Sequence, residues 1–175
     1  MADGSLVGVA IGGALAVVSS LGATWFSKFL ETKYTARQLA RAFEGELRAL
    51  VQIVEKREYL RGLRSSVQSM KANGEPIYFS INAREEYRAV YKANSARLGL
   101  LKANLPTQIA VVYTQISAVL EDFGTLRDFS DNRNTSPIPV ESLADWYTQA
   151  ADMLEDTLTR GRETVQALQA HYPAN

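Results

Sequence analysis

The feature that most constrains this chain is a run of 21 residues, Leu6 to Phe26, with no charged residue and no proline. At about 1.5 Å per residue, a helix of this length spans roughly 30 Å, the thickness of a bilayer's hydrocarbon core. A helix buried inside a soluble protein usually keeps a polar stripe, whereas this run offers only Ser19, Ser20 and Thr24. The run therefore predicts a transmembrane anchor over residues 1–27.

A cleaved signal peptide is the main alternative, because Ala14-Leu15-Ala16 resembles a small-x-small cleavage site. Signal peptides carry positive charge before the apolar run, but the preceding residues here are Met1-Ala2-Asp3-Gly4. By the positive-inside rule, the charges that follow the run favour an external N-terminus and a cytoplasmic C-terminal domain. Those charges are Lys28, Lys33, Arg37 and Arg41.

The end of the run has the composition of a membrane interface. Trp25 suits the headgroup level, and Lys28 can extend its charge toward it. Lys33, Arg37 and Arg41 recur every four residues as a basic stripe, and near an anionic leaflet each charge contributes on the order of 1 kcal/mol. The residues predicted to contact membrane lipid are Trp25, Lys28, Lys33 and Arg37.

Gly4, Gly8 and Gly12 recur every four residues within this segment. Small residues at this spacing share one helix face and let two helix backbones approach closely. The pattern predicts a homo-oligomer that assembles through the anchor, with an anchor that has no partner as the alternative.

Residues 28–175 are predicted to form an all-α soluble domain, a four-helix antiparallel bundle in the cytoplasm. Apolar residues at intervals of three and four indicate a first helix over 32–70, with one six-residue step after Val54 and a stop at Asn73-Gly74. No proline precedes Pro76, so the anchor can continue into this helix. The charged residues of the segment, Glu44 among them, are expected on its other faces.

Three further helices follow in the pattern. One is predicted over 83–102, with Asn82 as its N-cap, and another starts near Pro106 with the most apolar stripe of the domain. The last covers 140–171, after a polar linker at 130–139, and its apolar stripe includes Trp146.

Charge is divided unevenly along the chain, although the net charge is zero. Residues 27–105 hold 15 Lys and Arg against 8 Asp and Glu, whereas residues 106–175 hold 4 against 10. Two interpretations are open: the halves fold together and neutralise each other, or the basic half faces anionic lipid.

The residues of common catalytic and metal sites are missing. The chain has no cysteine and one histidine, His171 near its end, so no zinc site, cofactor or enzymatic activity is predicted. Nothing in the sequence indicates a nucleic-acid partner. Adjacent acidic residues such as Glu121-Asp122 point in different directions on a helix and are expected to be solvated.

A set of aromatic residues is expected to pack at the core and its rim, with a partner-binding groove as the alternative: Tyr34, Tyr59, Tyr78, Phe79, Tyr87 and Tyr91.

The stretch from Tyr91-Lys92-Ala93-Asn94 to Leu98-Gly99-Leu100-Leu101, followed by Leu105-Pro106, Ile109 and Tyr113, carries a family resemblance. It resembles uncharacterised small single-pass bacterial membrane proteins with a helical cytoplasmic part. The resemblance implies a bacterial or prophage origin and no specific activity, and together with the anchor it places the chain in a bacterial inner membrane.

Together these patterns favour a membrane-anchored, self-associating scaffold or adaptor that presents a helical bundle to a protein partner. A membrane-permeabilising effector in phage defence or lysis is the first alternative. It ranks lower because one apolar helix per chain offers little polar lining for a pore. A helical enzyme with an unfamiliar site is the second alternative.

Overall fold

The computed structural model describes the backbone of residues 3–78, 85–135 and 137–173, and the side chains of 25, 27–78, 87–135 and 137–173. All regular structure in these ranges is helical, which confirms the predicted all-α class. The main helices are α1 (Asp3–Lys56), α2 (Tyr59–Asn73), α4 (Leu105–Asp131) and α5 (Val140–His171), and a short α3 covers Ala89–Asn94.

The predicted helix over 32–70 is divided between α1 and α2, so its prediction as one uninterrupted helix was wrong. The division lies at Arg57 and Glu58, within the six-residue step of the apolar pattern. Glu58 has a φ of 52°, in the left-handed region that a helix cannot contain. The predicted stop is confirmed, because Gly74 has a φ of 67° and donates its N–H to the carbonyl of Met70 at 2.9 Å.

The predicted helix over 83–102 was also wrong as a single element. The structure has a 3₁₀ turn at Glu85–Arg88, then α3, then a second 3₁₀ turn at Ser95–Leu100. The backbone N–H groups of Val90 and Tyr91, in the first turn of α3, bond to the Glu46 side chain. A side chain from another helix therefore satisfies donors at the start of α3 that have no partner within the helix. Asn82, the predicted cap, lies outside the described residues.

The two C-terminal helices match their predictions. Pro106 lies in the first turn of α4, and α5 begins and ends at the predicted residues. Buried residues of α2, α4 and α5 form one cluster of the hydrophobic core, and Phe43 and Leu47 of α1 are also fully buried. Trp146 was predicted on the buried stripe of α5 but is 39% exposed, whereas its neighbour Tyr147 is fully buried.

The chain divides into two compact units, residues 1–38 and 39–175. As far as their residues are described, none of the helices has a stretch long and apolar enough to cross a membrane. The predicted anchor, Leu6 to Phe26, falls on residues whose side chains lie outside the described set, Trp25 excepted.

Candidate membrane-proximal surface and bundle cavity

An exposed surface of aromatic and basic side chains lies on α1 directly after the apolar run. The Trp25 ring stacks on the Phe29 ring, with centroids 5.8 Å apart and planes inclined by 7°. The Lys33 Nζ lies 4.2 Å from the centroid of Phe29, a cation–π contact. Trp25 is 70% exposed and Tyr34 is 66% exposed. We call residues Trp25, Lys28, Phe29, Leu30, Lys33 and Tyr34 the aromatic–basic surface.

Three of the four residues predicted at the membrane interface belong to this surface. Trp25, Lys28 and Lys33 are exposed and belong to the aromatic–basic surface, whereas Arg37 is half-buried. Gly4, Gly8 and Gly12 fall in the helical backbone of α1, but their surroundings lie outside the described residues. The predicted association face therefore stays a prediction.

Glu46 of α1 joins three parts of the larger unit. Its Oε1 accepts a 2.6 Å hydrogen bond from the N–H of Val90, and its Oε2 accepts bonds from the Tyr91 N–H and the Tyr113 hydroxyl. Burial and the bond to Glu46 raise the pKa of Tyr113, which keeps its hydroxyl a neutral donor. Tyr91 stacks on Tyr113 with centroids 4.1 Å apart. The carboxylate fixes the 3₁₀–α3 segment against α1 and α4.

Glu44 was expected on a solvated face, but it is only 5% exposed. Its carboxylate accepts hydrogen bonds from Arg41 at 2.9 Å, Arg48 at 2.5 Å and Gln169 at 2.9 Å. These donors offset the cost of removing the charge from water. The sequence signal was present, since Arg41 and Arg48 lie one helical turn before and after Glu44.

Ion pairs join the basic and acidic halves of the chain. Arg64 of α2 contacts Asp152 at 2.7 Å and Glu155 at 2.8 Å on α5. Arg162 of α5 contacts Glu55 of α1 at 2.6 Å. The pairs of Arg64 support the interpretation in which the two halves neutralise each other.

An apolar cavity of about 80 Å³ lies within the larger unit. Residues of α1, α4 and α5 line it, together with Tyr59 and Tyr87. The lining includes Thr157, whose hydroxyl donates to the Met153 carbonyl at 2.7 Å and so leaves its methyl group for the cavity. The apolar pattern of the sequence did not predict this cavity, because its lining residues have the same spacing and character as the residues of a filled core.

Arg57, in the break between α1 and α2, lies beside two tyrosines of this cavity. Its Nη1 donates to the Tyr59 hydroxyl at 2.7 Å, and its guanidinium carbon is 5.9 Å from the Tyr59 ring centroid. The hydrogen bond to Tyr59 raises the pKa of Arg57, and the proximity of Tyr87 acts in the same direction. The cation is exposed and stays protonated at any physiological pH.

Other ionisable groups do not assemble into a site in the described part of the chain. No three His, Asp or Glu residues of that part lie close enough together to share a metal ion. His171 ends α5 and is exposed. Burial and the neighbouring charge of Glu121 raise the pKa of Asp122, while Glu121 itself is exposed.

The aromatic set divides between exposed and packed positions. Tyr34 is exposed, Tyr59 packs edge-on against Phe123, and Tyr91 is half-buried. Phe79 lies outside the described residues.

No protein-family model, curated protein or solved structure matches this chain.

Proposed function

We propose that this protein is a membrane-anchored helical scaffold whose segment 6–26 spans a bacterial inner membrane. Residues 39–175 form a cytoplasmic bundle that is presented to a protein partner. The anchor has its N-terminus outside and self-associates through Gly4, Gly8 and Gly12.

The observation that carries this proposal is the aromatic–basic surface. Trp25, Phe29 and Lys33 follow each other at intervals of four residues on α1, and all three are exposed. Stacked rings with a lysine above them suit the headgroup level of a bilayer, where an apolar body and a charged end are both solvated. This surface begins where the 21-residue apolar run ends.

A role in presentation rather than catalysis is supported by the hydrogen bonds of Glu44 and Glu46. The carboxylates of Glu44 and Glu46 accept their hydrogen bonds from side chains and backbone of the bundle itself. On α5, Trp146 and Met153 are seven residues apart and are 39% and 36% exposed. Seven residues are about two helical turns, so the two side chains lie on one face of α5. Tryptophan is among the residues that most often contribute strongly to protein–protein interfaces.

Anchoring is tested by placing a charge in the apolar run. Leu15→Arg is expected to move the protein from the membrane pellet to the supernatant after alkaline carbonate extraction. An arginine at the centre of a spanning helix costs about 2.5–3.5 kcal/mol on insertion scales. Leu15→Ile is the matched control and should stay in the pellet. Extraction of the unmodified chain by carbonate would refute the anchor.

Orientation can be measured cleanly because the chain has no cysteine. A membrane-impermeant maleimide added to intact cells should label Ser5→Cys and should leave Ser65→Cys unlabelled until the cells are lysed. Labelling of Ser65→Cys in intact cells would show that the bundle is outside and would refute the proposed topology.

Self-association is tested with Gly8→Ile and Gly12→Ile in mild detergent. Branched side chains on the small-residue face should hold the helices apart, so cross-linked oligomer is expected to fall at least about tenfold, as for a loss near 1.4 kcal/mol. Ala10→Ile lies about 200° around the helix from Gly8 and should retain the oligomer. A chain that is monomeric in every form would contradict the association.

A further inference from the structure

The cavity of the bundle and the cation beside it have no role in the proposed scaffold. The cavity belongs to residues 39–175 and is lined by apolar side chains of α1, α4 and α5, with Tyr59 and Tyr87 also in its wall. Arg57 bonds to Tyr59 and interacts with Tyr87, so a positive charge lies beside this part of the wall. An apolar interior with a charged group beside it is complementary to an amphiphile.

We propose that the bundle binds a single-chain fatty carboxylate, with its alkyl chain in the cavity and its carboxylate on Arg57 and Tyr59. This inference does not depend on the anchor, because every residue of the site lies in the larger unit. It assigns a ligand to the bundle that a passive scaffold would not need.

The volume of the cavity favours one alkyl chain over two. A water molecule needs roughly 10–15 Å³, and an apolar cavity of about 150 Å³ holds a benzene molecule without admitting water. At about 80 Å³ the cavity holds the end of one chain. Leu50, Ile53 and Val54 are only partly buried, so the rest of the chain can extend between them.

The charges around Arg57 favour an anionic headgroup. Its neighbours Glu55 and Glu58 pair with other arginines, Arg162 at 2.6 Å and Arg61 at 3.2 Å. The guanidinium is a planar donor suited to a carboxylate. A tyrosine hydroxyl that accepts one bond can also donate one, so Tyr59 can bond to the same carboxylate.

The helix break explains how the cation reaches this position. Arg57 is the first residue after α1, and Glu58 takes the left-handed conformation before α2 begins at Tyr59. An uninterrupted helix would place residues 57 and 59 about 200° apart around its axis. The break instead brings the guanidinium onto the Tyr59 hydroxyl.

The test uses the full chain in nanodiscs of phosphatidylcholine, with decanoate labelled with ¹³C at its carboxyl carbon as the probe. The NMR signal of the carboxyl carbon should show saturable binding above that of empty nanodiscs. Arg57→Gln is expected to weaken binding about tenfold, the effect of one charge-assisted hydrogen bond. Arg133→Gln, the control on an exposed arginine that plays no part in the site, should change it by less than about twofold.

The cavity is tested separately by filling it. Val54→Phe adds a ring at a lining position and should abolish saturable binding, whereas Val111→Phe on an exposed position of α4 should not. Decanol, which has no charge, should compete equally well in the parent chain and in Arg57→Gln. Three results would overturn the proposal: no binding above empty nanodiscs, equal losses in both arginine variants, or unchanged binding in Val54→Phe with circular dichroism confirming its fold.

Discussion

Tyr147→Ala is expected to lower the free energy of unfolding of the bundle by about 3–5 kcal/mol. Tyr147 is fully buried in the core formed by α2, α4 and α5. Its replacement removes a whole aromatic ring from a packed interior and leaves a void that neighbouring helices cannot close. The measurement is pulse proteolysis of the full chain in urea. With an m value of about 1–3 kcal/mol/M, the midpoint should fall by more than about 1 M.

The matched control is the neighbouring residue. Trp146 is 39% exposed, and its ring packs edge-on against Phe129 with centroids 5.8 Å apart. Trp146→Ala should therefore cost less than about 1.5 kcal/mol, within the range of an aromatic contact at a surface. Equal shifts in the two midpoints would mean that the assignment of buried and exposed faces on α5 is incorrect.

Glu46→Ala is expected to release the segment 85–100 from the rest of the bundle. The change removes the acceptor for the N–H groups of Val90 and Tyr91 and for the Tyr113 hydroxyl. Hydrogen bonds to a charged group contribute about 1.5–3 kcal/mol each, and the three share one carboxylate, so a combined loss of about 3 kcal/mol is expected. Hydrogen exchange of the amides of Val90 and Tyr91 should accelerate at least about tenfold.

Two variants show whether the effect is specific to these bonds. Glu46→Gln keeps one carbonyl oxygen as an acceptor and should give an intermediate exchange rate. Glu55→Ala removes an exposed carboxylate from the same helix, one that pairs with Arg162, and should leave both amides protected. If exchange at Val90 and Tyr91 stays slow in Glu46→Ala, other contacts hold α3 and the assigned role of Glu46 is wrong.

Long apolar stripes made the last two helices predictable from sequence. α4 and α5 have enough residues at intervals of three and four for the helical period to dominate, and Pro106 suits the first turn of α4. The segment around α3 was not predictable in this way. Its shape depends on Glu46, which is 44 residues away from Val90, and no local pattern records such a bond.

The break at Glu58 lies where the sequence carries a local signal that has more than one structural meaning. The six-residue step after Val54 interrupts the apolar period, but a gap in a pattern does not show whether a helix bends, continues or ends. Local sequence patterns also fail to predict which charged residues of the bundle are buried. Glu44 is buried because Arg41, Arg48 and Gln169 surround it, and Gln169 is 125 residues away.

The aromatic–basic surface was the part of the candidate site most accessible to prediction, because Trp25, Lys28 and Lys33 are close in sequence. The cavity and Arg57 were not accessible, since five separate elements must pack before the space between them exists. In the sequence, Tyr59 is one aromatic residue among several. Only the folded structure shows that its hydroxyl accepts a hydrogen bond from Arg57 at the edge of the cavity.

The long sequence separation of the contacts made by α5 has a consequence for biosynthesis. Arg64 pairs with Glu155 across 91 residues, and Arg162 bonds to Glu55 across 107. Because translation proceeds from the N-terminus, α1, α2 and α4 leave the ribosome before the helix that covers their apolar faces. The apolar faces of these helices therefore stay uncovered until the 32 residues of α5 have also emerged, and closure of the bundle must wait for α5.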